Sequence, residues 1–122
     1  MTDFAGDIQQ IELTMQEAKD AIELQQCLVR LSENKDFIKL ISKGLFEEEA
    51  TRVVGAKAEM GMIMNEAGMT MIDNIITTIG GLRQYFIKVQ QQGNSAQGAL
   101  ADHQETHTEL LREQLEEGSG VH

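Results

Sequence analysis

Two histidines, His103 and His107, stand four residues apart in this chain, with Asp102 and Glu105 close by. On a helix that spacing puts both imidazoles on one face, where a divalent metal can be held. Two ligands do not complete a site, and the Glu that directly follows the first His in metalloprotease helices is absent. The other reading is a polar layer that sets the register between packed helices; protonation in mildly acidic solution would then loosen it. Residues 60–71 carry five methionines, Met60, Met62, Met64, Met69 and Met71. Thioethers suit Cu(I), but they equally suit adaptable packing, and nothing else in the chain favours copper. Cys27 lies between Leu24 and Leu28 with no close cation in the pattern and reads as a small packing residue.

None of the usual catalytic groupings is present: no Gly-rich phosphate loop, nucleophile elbow or Cys/His cluster. With one Tyr and four Phe, an aromatic-lined pocket is not expected. The chain is therefore expected not to be an enzyme, and to take no cofactor, metal or small-molecule substrate.

The elements that would position these residues are helices. Proline is absent, aromatics make up 4%, and the 122 residues suffice for one ordinary domain. From Ile72 an apolar stripe runs through Ile75, Ile79, Leu82, Phe86 and Val89 in steps of three and four. That is the rhythm of a helix packing along a seam. The same steps reach Gly93, Ala96, Leu100, His103, His107 and Leu110. The expected fold is all-α: an elongated helical hairpin or bundle, coiled-coil-like, with one long C-terminal helix over 68–116 and Gln90–Ser95 the place for a kink if the helix breaks. Gly80 and Gly81 each cost about 1 kcal/mol relative to alanine, so close approach of another helix, or a bend, is expected there.

Upstream, a first helix is expected over 7–33, with Asp7 as N-cap. Its stripe Ile8, Ile11, Met15, Ala18 and Ile22 then slips to Ala21, Leu24, Leu28 and Leu31. Residues 34–60 read as a helix–glycine–helix corner. Ser32 or Asn34 caps a helix bearing Phe37, Ile38, Leu40 and Ile41, Gly44 supplies a left-handed end, and Glu47–Glu49 open the next helix. Leu45 and Phe46 cover the junction. A DNA-reading helix-turn-helix is geometrically allowed, but three glutamates at the start of its second helix argue against it. Residues 61–67 read as a connection and 117–122 as a loose tail.

The net charge is −10 and the pI about 4.6. Phosphates repel such a chain, so direct nucleic-acid binding is not expected; basic or mixed protein surfaces are, including the site of a DNA-binding protein that the chain would occupy by mimicking nucleic acid. No signal-peptide pattern or membrane-length apolar run occurs, so the expected location is the cytoplasm of the producing cell, or a particle packaged there.

The run Leu28-x-x-Leu31-x-x-Asn34-x-Asp36-Phe37, then Gly44-x-Phe46-x-x-Glu49-Ala50-x-Arg52-x-Val54, resembles a family of small helical proteins encoded by tailed double-stranded DNA bacteriophages. Ile79-Gly-Gly81-Leu82-Arg83-Gln84-Tyr85-Phe86, Gln92-Gly93 and Glu109-Leu110-Leu111-Arg112-Glu113 extend the likeness over roughly residues 8–115. Leu45 departs from it where an aromatic is expected, as does the methionine run. The resemblance implies a virion-associated structural or assembly protein that packs against itself and against capsid, portal or tail proteins, with no catalytic residues to carry over. The alternative is an acidic inhibitor masking the DNA-binding surface of a host protein. On the first reading the expected contact residues are Phe37, Phe46, Arg52, Ile72, Ile75, Ile79, Leu82, Phe86 and Val89. Arg52 is expected in a charge pair, within its own chain with Glu48 or Glu49, or with a partner.

Overall fold

The computed structural model of the chain describes residues 3–60 and 65–119, and every regular element among them is helical. Helix α1 spans Phe4–Ser32. Asp3 rather than Asp7 closes its first turn: the Asp3 carboxylate accepts the Gly6 amide at 2.9 Å, and its carbonyl accepts the Asp7 amide at 3.0 Å. Either aspartate suits an N-cap. Starting at Asp3 brings Phe4 into the helix, one turn before Ile8, where both side chains are half-buried.

After Ser32 the chain turns, and Asn34 starts the next helix. Its Oδ1 accepts the amides of Asp36 and Phe37, each at 3.0 Å, from an extended backbone. From Lys35 the chain stays helical to Met60, through one turn of α2 (Lys35–Phe37), a π-helical stretch π1 (Ile38–Glu49) and α3 (Ala50–Met60). This replaces the expected glycine corner. No described residue has a positive φ, so Gly44 is not a left-handed terminus; it sits in the middle of π1. What Gly44 supplies is room. A Cβ there would stand 2.8 Å from the Lys39 carbonyl, five residues back. A π-helix turns that carbonyl inward as an acceptor, and at the end of π1 the Ala50 amide donates to Leu45 in this i→i−5 manner.

Helix α4 runs from Glu66 to Ser119. Asn65 opens it, accepting the Gly68 amide on Oδ1 at 2.8 Å. The helix therefore begins inside the stretch read as a connection and ends inside the stretch read as a tail; residues 61–64 and 120–122 lie outside the described ones. It passes through Gly93 without a break.

The chain divides into two compact units: Met1–Gln26 with Val89–His122, and Cys27–Lys88. In the first, α1 and the later part of α4 run antiparallel, since Gln25 meets Asn94 while Glu12 meets His107. Its buried apolar residues are Ala18, Val89 and Ala96. In the second, Val53, Ile72 and Ile79 are buried, and Lys57 of α3 donates to Asp73 of α4 at 2.6 Å.

Candidate interaction surfaces

In the first unit a polar layer centred on Gln25 joins the two helices, in addition to a contact made by His107. Gln25 is 6% exposed. Its amide nitrogen donates to the Gln90 carbonyl at 3.0 Å and to Asn94 Oδ1 at 2.6 Å, while Gln97 donates to its Oε1 at 2.8 Å. Gln25 carries the Ile8–Ile22 stripe one step further, so the change of register expected at Leu24, which is exposed, comes after Gln25, where Leu28 is half-buried and Val29 exposed. Beside this layer Gly93 is buried, and a Cβ built on it would overlap Cβ and Cδ of Gln25. Close helix approach is therefore at Gly93, whereas Gly80 and Gly81 face open space.

His107 pairs with Glu12 across the helices, Nε2 to Oε1 at 3.0 Å. His103 lines a shallow trough with Ala18, Ala21, Ala96 and Ala99. No group of three or more metal-ligating side chains occurs among the described residues. Cys27 is exposed rather than packed, and the Arg30 guanidinium donates to its sulfur at 3.3 Å. Of the methionines, Met69 is half-buried and Met71 exposed; Met62 and Met64 lie outside the described residues.

The second unit holds most of the residues expected to make contacts. Phe86 is half-buried between Phe37 and Phe46, with ring centroids 5.9 Å away in each case and the Phe46 contact edge-on. Such pairs add about 0.5–1.5 kcal/mol each beyond burial. This cluster ties α2 and π1 to α4. Along α4, Ile72 and Ile79 are buried, but Ile75 and Leu82, at the alternate seam positions, are 38% and 37% exposed. The stripe changes character at Val89, which is buried, as is Ala96 at the next equivalent position. The apolar ridge is thus covered on both of its edges in the first unit and on one edge in the second.

The uncovered edge borders an open groove of about 580 Å³, lined by Leu45, Met71, Ile75 and Ile79 among others. That volume falls within the range of small-molecule pockets, but such pockets enclose their ligand and converge a few polar groups on it. Here a trough lies along the side of a helix, with Thr70, Asn74 and Thr78 spaced out along it and Glu49 across from them.

Arg52 pairs within its own chain. Its Nε donates to Glu49 Oε2 at 3.0 Å and its Nη2 to Oε1. These hydrogen bonds hold the Glu49 carboxyl below the usual carboxylate range, with a smaller contribution from the cationic charge, and they raise Arg52. Because the folded value is depressed, the pair's stabilisation is present above the ordinary carboxylate range and is lost as pH falls through the lowered value. Both groups are open to solvent, so the effect on stability is small and screened. In an Arg52→Gln variant the Glu49 midpoint, followed by NMR of the carboxyl carbon, is expected to rise, with no change in thermal midpoint at neutral pH. An unmoved Glu49 midpoint would show that the pair does not persist in solution.

No family model, curated protein or solved structure matches this chain. What the residues say about function therefore rests on the surfaces themselves, and their charge is unevenly divided. The first unit contains 12 Asp and Glu against Lys19 and Arg112, and so carries the whole net charge of −10. The second contains eight acidic and eight basic side chains. The sequence holds this asymmetry, but it becomes visible only when the two ends of the chain are seen to form one unit.

Proposed function

We propose that this chain is a structural or assembly protein of a tailed-phage particle that works by helix packing, engaging copies of itself and a capsid, portal or tail protein. The observation that carries the reading is the half-covered ridge of α4, where Ile75 and Leu82 lie exposed beside buried Ile72 and Ile79. Apolar side chains in a contiguous row on a surface mark an interaction site. The resemblance of Asn34–Phe37, Gly44–Val54 and Ile79–Phe86 to small helical phage proteins supports the particle context. The proposed location is accordingly the virion, reached from the host cytoplasm. No described helix is long and apolar enough to cross a membrane.

A second reading draws on the first unit. Its −10 charge fits the basic face of a DNA-binding host protein, which an acidic inhibitor would mask. Quantitative mass spectrometry of purified particles of the encoding phage separates the two. Many copies per particle is the expected result. Absence from particles, with recovery on a host DNA-binding protein from infected cells, would replace the first reading by the second.

A further inference from the structure

The exposed residues of α4 form a second stripe beside the buried one. Met71, Ile75, Thr78, Leu82 and Tyr85 follow one another in steps of four, three, four and three, and all are exposed, Met71 at 66%. This is a seam in its own right. Its outer flank is free of charge, being made by Ala67, Thr70, Asn74, Thr77 and Gly81, all exposed, and across the groove on its other side the Glu49 carboxylate is paired with Arg52. Only Asp73 carries charge between Ala67 and Leu82, and it is engaged by Lys57. Gly81 presents no side chain there, and nothing of its own chain stands within 4 Å of where a Cβ would be. Another helix can therefore come close.

The charge division indicates what covers this stripe. A basic partner would find its counter-charges on the first unit, because the seam itself offers it no free carboxylate. An uncharged apolar helix face fits another uncharged apolar helix face. Two copies meeting through their first units would bring −10 against −10, whereas meeting through their second units brings no net charge into the contact. We infer that the stripe Met71–Tyr85 is a self-association seam on which a second copy of this chain lays the same face in an isologous contact. This deepens the packing role proposed above and rests on it.

Analytical ultracentrifugation of the full chain tests the inference. The wild-type chain is expected to dimerise, and about 1 M salt, where the Debye length is about 3 Å, is expected to tighten the dimer by screening the acidic units. An interface built on ion pairs would weaken instead. Ile75→Glu combined with Leu82→Glu is expected to give a monomer with unchanged helical circular dichroism. Thr78→Lys replaces an exposed side chain that the fold does not need and should weaken the dimer at least tenfold. Leu115→Glu, at a 73% exposed leucine of the first unit, should leave it intact. A wild-type chain still monomeric at millimolar concentration overturns the inference, whether the face is then covered by the chain's own residues or by another protein. So does a dimer that survives Thr78→Lys but is lost in Leu115→Glu. A monomeric chain abundant in particles removes this seam and leaves the assembly role, and a dimer absent from particles does the reverse.

Discussion

Replacing Phe86 by alanine is expected to lower stability by about 3 kcal/mol, the low end of the usual cost of truncating a core phenylalanine. The ring is half-buried, which argues for the low end, but it is the aromatic ring that meets both Phe37 and Phe46. Its loss leaves α2 and π1 with no aromatic contact to α4. Domains of this size are stable by only about 5–15 kcal/mol, so the change is large. Urea denaturation followed by far-UV circular dichroism reads it directly. Tyr85→Ala is the internal comparison. Tyr85 also lies near Phe86 but is mostly exposed, and its removal is expected to cost under about 1 kcal/mol. Equal losses for the two variants would mean that the cluster does not organise the second unit.

The second large effect concerns glycine, and here the sign is the test. Gly80→Ala is expected to stabilise by about 0.5–1 kcal/mol, because alanine restricts the unfolded chain and the new methyl meets nothing. Gly93→Ala gains the same helical preference, yet its Cβ overlaps Cβ and Cδ of Gln25. The Gln25 Cβ is fixed to the backbone and cannot swing aside, so α1 must move, at a cost of about 1–3 kcal/mol for overpacking. A net loss is expected for Gly93→Ala and a larger one for Gly93→Val, whose branched side chain adds bulk at the same place. If Gly93→Ala stabilised as much as Gly80→Ala, the two helices would not be in the contact described.

These two residues also show what the sequence reveals and what it hides. The long helix, its buried positions Ile72, Ile79, Val89 and Ala96, and the cap at Asn34 all follow from local rules of spacing and capping. Gly93 and Gln25 do not, because each has meaning only through the other, 68 positions away along the chain. In the sequence the apolar stripe ends before Gln25, which predicts a slip at Leu24, whereas Gln25 is buried and the slip comes only at half-buried Leu28. Gly44 departs from its expected role for a different reason. Glycine after a helical run usually marks a left-handed stop, and only the backbone hydrogen-bond pattern shows that the helix widens and continues. Similarly, Ile75 and Leu82 share the rhythm of the buried ridge. Periodicity reports which residues lie along a stripe but not whether a neighbour covers both of its edges. Of the candidate contact residues, Phe37, Phe46 and Phe86 meet one another, Arg52 meets Glu49, and Ile75 and Leu82 remain open.

Placing every surplus carboxylate on one unit also fixes where the surrounding ions gather. Polyamines and other multivalent cations are expected to gather around the first unit far more than around Cys27–Lys88, which carries no net charge. The ionic composition of its surroundings can therefore reset how strongly the first unit repels its neighbours while changing the second much less.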